Sequence, residues 1–150
     1  MRIENEIKQK KFKNEYQKLG INILFTSTWI SSFNMHSLKP HGISWQQFNV
    51  LRILKGMHPK PATIKLLTER MIDKMSNASR LVEKLKKKGL VERQSCEDDR
   101  RRVDIVITQQ GLKLVNKAST DLERDMLEKM SNLTEEEAVS LNDLLDKLRT

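Results

Sequence analysis

The stretch from Ile64 to Thr108 most restricts the fold, because two helical patterns are followed there by two strand patterns. Within the second helical pattern, apolar residues recur at the i, i+3, i+4 and i+7 positions of one helix face, namely Ala78, Leu81, Val82 and Leu85. Gly89 then ends this helix, since glycine readily takes the left-handed conformation that follows a helix C-terminus. Alternating side chains predict strands over residues 90–94 and 102–108. Two helices followed by a β-hairpin predict a winged helix-turn-helix.

Further helical patterns flank this central unit. A first helix is predicted from near Glu4 to about Ser37, with apolar residues on more than one face. Ser44 and Gln47 have the spacing of a capping box, which predicts the start of a second helix that ends at Gly56. The short third helix covers residues 63–71, and the fourth runs from about Met75 to Lys88.

The segment after the strands predicts two more helices. Thr108 is the expected N-cap of a helix over residues 109–130, and Thr134 with Glu137 forms another capping box before the last helix. We therefore predict a mainly α fold with a small β-wing. Its predicted parts are an N-terminal helix over residues 1–41, a winged helix-turn-helix over 42–108 and C-terminal helices over 109–150.

The terminal helices contain more apolar side chains than one small winged unit needs. These residues are Phe12, Tyr16, Leu122, Met126, Leu141, Leu145 and Leu148. The excess predicts that the terminal helices form a dimer interface in a homodimer. The alternative is that they complete the core of a monomer.

Charge and cysteine content restrict the class of protein. The formal net charge is +8, and more than half of this excess lies between Lys74 and Arg102. Such a local excess favours a polyanionic partner, although a merely solvated surface also fits it. The single cysteine, Cys96, has no partner for an intramolecular disulfide. Together with charged first residues and no apolar run of membrane-spanning length, this predicts a cytoplasmic protein outside the membrane.

The fourth predicted helix has the two faces that a DNA-reading helix needs. Opposite its apolar stripe lie small polar and basic residues: Ser76, Asn77, Arg80 and Lys84, with Ser79 at the margin. Asparagine and arginine form bidentate contacts with adenine and guanine edges, and serine and lysine bind phosphates. These five residues are the predicted recognition-helix contacts. An ordinary amphipathic surface helix is the alternative.

The link between the two strands mixes acids and bases from Glu97 to Arg102. Arg100 or Arg101 is predicted to enter the minor groove, where narrow tracts concentrate negative potential. Asp99 would hold a neighbouring arginine through a bidentate ion pair. A solvated charged turn is the alternative for this tip.

Three segments resemble the multiple-antibiotic-resistance regulator (MarR) family: residues 63–71, Ser76–Val91 (SNASRLVEKLKKKGLV) and Asp98–Gly111 (DDRRRVDIVITQQG). The D-x-R wing followed by an alternating strand and T-x-x-G is the most specific part. The resemblance extends from about Gly42 to Arg149, whereas the first helix is similar in position and length only.

This resemblance implies a sequence-specific transcription regulator that binds double-stranded DNA. It also implies a symmetric homodimer, built from the first and the two last helices, that reads a pseudo-palindromic operator with its recognition helices about one DNA turn apart. Members of the family are most often repressors, and many release DNA when a small aromatic anion or phenolic compound binds. We therefore expect a repressor that is released by such a ligand.

Five residues near the expected junction are candidates for the ligand pocket: Phe25, Trp29, His36, Trp45 and Phe48. Aromatic walls with a few polar groups suit such a ligand, but plain core packing explains them equally and is favoured. The peroxide-sensing branch of the family uses a cysteine in its first helix, and this chain has none there. Redox sensing by Cys96 is therefore not expected.

No catalytic pattern was found in the sequence. The three histidines lack the spacing of a zinc site, and no phosphate-cradling glycine loop or dinucleotide fingerprint is present. We expect no catalysis, no metal and no cofactor. Two alternatives to DNA regulation are a helical protein-interaction module of winged-helix shape and an RNA-binding winged helix. The latter is disfavoured because aromatic stacking platforms are missing.

Overall fold

The computed structural model describes residues 1–95 and 103–150. Within these ranges the chain forms seven α-helices, one short 3-10 helix and three strands. The elements are α1 (Ile3–Glu6), α2 (Glu15–Leu38), the 3-10 helix (Lys39–His41), α3 (Trp45–Met57), β1 (Ala62–Thr63), α4 (Ile64–Arg70), α5 (Ala78–Lys87), β2 (Val91–Ser95), β3 (Val103–Ile107), α6 (Gln109–Met130) and α7 (Glu135–Leu148). The mainly α fold with a small β-wing is confirmed.

The N-terminal region differs from the predicted single helix. The helix α1 ends at Glu6, and α2 begins only at Glu15 after a cap in which the Asn14 side chain accepts a hydrogen bond from the Gln17 amide. Lys8 has a φ of 56°, a left-handed conformation that an uninterrupted helix does not allow. The prediction of one continuous helix from Glu4 was therefore wrong over residues 7–14, where the chain leaves the helical conformation.

The first residues fold back onto α2 instead. Ile3 is buried, and the Glu4 carboxylate lies 2.6 Å from the Lys18 ammonium. This pairing holds α1 against the first turns of α2.

The predicted capped helix starts are confirmed. Ser44 accepts from the Gln47 amide while the Gln47 side chain accepts from the Ser44 amide, and Thr134 and Glu137 form the same reciprocal pair. Each box satisfies two backbone donors that a helix N-terminus otherwise leaves free. The helix α3 continues one residue beyond Gly56, to Met57.

A three-stranded antiparallel sheet forms the base of the wing, in the order β1-β3-β2. The strands β2 and β3 pair from Val91–Ile107 to Ser95–Val103, which confirms the predicted hairpin within one residue. The two-residue strand β1 was not predicted. It pairs Ala62 with Ile105 and thereby joins the start of α4 to the wing.

One core unites the winged unit with α6. Fully buried side chains come from α3, α4, α5, the sheet and α6, for example Leu51, Leu67, Leu85, Ile105 and Val115. Because α6 contributes Val115, Ala118 and Leu122, its first half is part of the winged unit's packing.

The T-x-x-G motif fixes the start of α6 against the corner between α5 and β2. Thr108 accepts from the Gly111 amide at 3.0 Å and donates to the Gly89 carbonyl at 2.7 Å. A Cβ atom at Gly111 would lie 2.2 Å from the Leu90 carbonyl oxygen, so only glycine fits this approach.

The terminal helices leave apolar side chains in solvent. The helix α7 has no buried residue, and in α2 only Asn34, Ser37 and Leu38 are buried. The large exposed apolar residues on these two helices are Tyr16, Leu19, Leu24, Phe25, Trp29, Met35, Val139, Leu141, Leu144 and Leu148. Only the C-terminal part of α2 contributes to the core, through Leu38 and Phe33, and no residue of α7 does. Among the described residues, no helix has the length and hydropathy needed to cross a bilayer.

Candidate nucleic-acid interface

The helix α5 presents one buried and one exposed face. Ala78, Val82 and Leu85 are buried in the core, so the helix is fixed on the winged unit. Ser79, Arg80 and Lys84 are exposed on its other side. This arrangement leaves a short serine and two cationic side chains available to an external partner.

Ser76 and Asn77 precede α5 rather than lying within it. The Asn77 side-chain oxygen caps the helix by accepting from the Arg80 amide at 3.0 Å. The Ser76 hydroxyl donates to Asp73 at 2.7 Å, and Asp73 also accepts from the Met75 amide. Both side chains thus already serve the turn between α4 and α5. Both residues were predicted to lie inside the helix, although the N-cap preference of asparagine is a signal from which this role could have been predicted.

Two further contacts position α5. The Glu83 carboxylate lies 2.6 Å from the Arg93 guanidinium on β2. At the C-terminal end, the Lys88 ammonium donates to the Gly42 carbonyl. These contacts connect the helix with the wing on one side and with the turn before α3 on the other.

The predicted wing-tip contacts, Asp99, Arg100 and Arg101, lie outside the described residues, as does Cys96. The described part of the wing ends at Ser95 and resumes at Val103, where the two strands are paired. The positions of these strands therefore define the base of the wing.

The five predicted pocket residues have three different surroundings. Trp45 and Phe48 stack with their ring centres 5.7 Å apart, and Phe48 is a core residue. Phe25 and Trp29 line an open cavity of about 430 Å³ between α1 and α2. His36 lines another cavity and is 11 positions beyond Phe25, about 16 Å along the helix. The five residues do not form one pocket.

The cavity at His36 has a volume of about 550 Å³ and lies where α2 meets the turn before α3. Its other lining residues are Ser32, Met35, Lys39, Gly42 and Ile43. A lysine, an imidazole and a hydroxyl thus lie beside two apolar side chains. Sequence reasoning missed Lys39, because it emphasised aromatic residues.

The turn before α3 is also anchored to α6. His41 Nε2 lies 3.1 Å from an Asp121 carboxylate oxygen, and Arg124 contacts the other oxygen at 3.2 Å. One helical turn later, a hydrogen bond from Ser37 and the guanidinium of Arg124 hold the pKa of Asp125 below its ordinary value. The end of α2 and its turn are thus tied to the middle of α6.

No set of three or more potential metal-ligating side chains was found among residues 1–95 and 103–150. The helix pair, the exposed basic face of α5 and the antiparallel hairpin define a winged helix-turn-helix protein. Residues 41–102 match the model of the MarR family.

Solved structures share this fold over most of the chain. A MarR-like transcription regulator from Bacillus cereus is 22% identical over 90% of this chain and 96% of that one, with a TM-score of 0.81. A cysteine-to-serine mutant of MarR from E. coli, complexed with operator DNA, is 25% identical, with coverages of 92% and 98% and a TM-score of 0.80. The organohalide-sensing regulator RdhR, in its 2,4-dichlorophenol-bound form, is 23% identical, with coverages of 94% and 85% and a TM-score of 0.83.

The family match and the shared fold agree with the resemblance found in the sequence. Residues 41–102 are thus similar to the MarR family of winged-helix transcription regulators, and most of the chain shares the fold of the solved members. This is a family of regulators rather than enzymes.

Proposed function

We propose that this regulator is a homodimeric repressor that binds a pseudo-palindromic operator in double-stranded DNA. The observation that carries the proposal is the exposed Ser79, Arg80 and Lys84 face of α5, opposite a face buried in the core. A helix anchored in this way can enter the major groove as a rigid unit. The E. coli MarR mutant that shares this fold is complexed with operator DNA, which supports the proposal.

Each side chain has a proposed role at the operator. Arg80 reads a guanine edge through two hydrogen bonds, while Ser79 and Lys84 contact phosphates. Ser76 and Asn77 shape the first turn and contact DNA beside it. At the wing, Asp99 positions Arg100 or Arg101 for the minor groove.

A second copy of the chain is the proposed partner of the exposed apolar faces of α2 and α7. Apolar patches of this kind on a protein surface usually mark an interface. In the proposed division, residues 1–41 and 109–150 form the dimer region and residues 42–108 form the DNA-binding unit, with the first half of α6 also packing in the core of that unit. Two-fold symmetry then sets two α5 helices about one DNA turn apart.

The proposed effector is a small aromatic anion or phenolic compound. Of the two cavities described, the one at His36 suits it better, because the Lys39 ammonium complements an anion while Met35 and Ile43 contact a ring. Its volume of about 550 Å³ lies within the range of small-molecule sites. The bound 2,4-dichlorophenol of RdhR supports this class of ligand.

Selection of bound DNA from a genomic pool tests the proposed function. We expect an enriched inverted repeat whose half-sites are centred about 10 base pairs apart, with affinity that falls steeply as salt rises. A single unrepeated site would contradict the symmetric dimer. Failure to enrich any DNA at low salt would contradict DNA regulation and favour a protein-interaction module.

A further inference from the structure

An acidic residue interrupts the basic surface of α5. Glu83 directly precedes Lys84 and follows Arg80 by three positions, so its carboxylate lies on a helix that is proposed to approach phosphates. A carboxylate there opposes DNA binding through charge repulsion. Its presence is explained by what it contacts within the protein.

The contact of Glu83 is the guanidinium of Arg93 on β2. Glu83 Oε1 lies 2.6 Å from Arg93 Nη1, and the side chains are 44% and 30% exposed. Glu83 Oε1 and Arg93 Nε are nevertheless shielded from water. An ion pair with this much exposure adds little to the stability of a fold. The effect of this ion pair is therefore sought in the relative position of α5 and β2 rather than in the stability of the fold.

The pair joins two elements whose relative position matters for DNA. Only residues 88–90 connect α5 to β2, and Arg93 in β2 pairs with Ile105 in β3. A contact at Arg93 therefore restrains the paired strands β2 and β3 against the proposed recognition helix. The Glu83–Arg93 ion pair is thus a second connection between α5 and β2, in addition to residues 88–90.

Resting on the proposed operator binding, we infer that Glu83 and Arg93 are positioning residues that set the wing relative to the recognition helix and thereby sharpen operator selectivity. The pair also neutralises Arg93, which otherwise attracts phosphates of any sequence. Glu83→Gln has two consequences in the same direction, a less defined wing base and stronger non-specific binding by the free Arg93, whereas Arg93→Gln has only the first. Each of these effects lowers the ratio of operator affinity to random-DNA affinity.

A double-mutant cycle tests this inference. Affinities of the full-length protein for its selected operator and for a random duplex of equal length are measured for the wild type, Glu83→Gln, Arg93→Gln and the double variant. We expect each single change to lower the affinity ratio about tenfold, within the range of couplings between contacting residues. The double variant should show no further loss, because each residue acts through the other.

Glu92→Gln is the matched control, since Glu92 is an exposed acid on β2 beside Arg93. It changes net charge as Glu83→Gln does and should strengthen binding to both duplexes equally, leaving the ratio unchanged. Unfolding midpoints should be alike for all variants, which separates positioning from folding.

Distinct outcomes contradict the inference and the proposed function. A wild-type ratio in Glu83→Gln, or additive losses in the double variant, overturns the positioning role while leaving operator binding intact. A wild-type protein that selects no DNA overturns the proposed function and the inference together.

Discussion

Within the described residues, Arg80 contacts its neighbours through its backbone, and its side chain is exposed. Its amide donates to Asn77, while its side chain is exposed beyond the first turn of α5. We expect Arg80→Ala to reduce discrimination between the operator and a single-base variant by about 1–3 kcal/mol, as for loss of a bidentate base contact. Competition binding with the two duplexes measures this difference.

Lys84→Ala is the control for Arg80. A phosphate contact carries no sequence information, so this change should weaken binding to all duplexes and reduce the salt dependence by about one counterion. An Arg80→Ala protein with unchanged operator preference would show that Arg80 does not read a base.

The glycines give a matched pair of stability tests. Gly111→Ala would place a methyl group 2.2 Å from the Leu90 carbonyl oxygen, and we expect a loss of about 3 kcal/mol in the free energy of unfolding. Gly20, within α2, has open space around its Cβ position. Gly20→Ala should therefore raise stability by about 0.5–1 kcal/mol. Denaturant unfolding of both variants and the wild type, at one protein concentration, gives the change in the free energy of unfolding for each. Equal changes in the two variants would contradict the close approach at Gly111.

At the scale of secondary structure elements, local hydrogen-bond signals predicted helix starts better than periodicity predicted helix lengths. Ser44 and Thr134 were assigned correctly because a capping box is encoded within four residues. The break between α1 and α2 was missed because Ile7 and Phe12 continue an apparent apolar period. In the folded chain Ile3 is buried and Glu4 pairs with Lys18 of α2, and such tertiary contacts are not visible in a local pattern.

The contact between α2 and α6 predicts a pH effect. Because the pKa of Asp125 is lowered in the folded protein by Ser37 and Arg124, its stabilising contribution is present above the ordinary carboxyl range and is lost as pH falls through the lowered value. Asp125→Asn should therefore reduce the loss of stability between about pH 5 and pH 2. Urea unfolding at several pH values in this range measures the free energy of unfolding of both proteins. Asp143→Asn, which removes one carboxylate from an exposed position of α7, is the matched control.

At the scale of the whole molecule, a substitution on α7 tests the proposed homodimer most directly. Leu141, Leu144 and Leu148 are exposed along one face of this helix. Leu144→Glu would place a charge in the proposed interface, where burial without a partner is unfavourable. We expect dissociation to monomers in sedimentation equilibrium and loss of affinity for the two-half-site operator.

Asn142→Glu supplies the control, because it adds the same charge on the opposite side of α7. It should leave the dimer intact. A Leu144→Glu protein that remains dimeric would exclude this face of α7 from the interface.

Long-range geometry accounts for what the sequence did not predict at the candidate sites. The apolar and basic residues of α5 recur at helical spacing within one short segment, so both faces of this helix could be predicted from the sequence. The pocket candidates lie on α2 and α3, and their grouping depends on how those helices pack. His36 therefore shares a cavity with Lys39, whereas Phe48 is in the core.

The continuity of α6 has a mechanical consequence. Its 22 residues form a rod about 33 Å long. One end is fixed under the wing by Gly111, and the other leads to α7 in the proposed dimer region. A tilt of about 5° at the α7 end would displace the wing end by roughly 3 Å, a distance comparable to one base-pair step. In the proposed dimer, α6 would act as a lever, so that small rearrangements between protomers become larger displacements of the proposed DNA-binding helices.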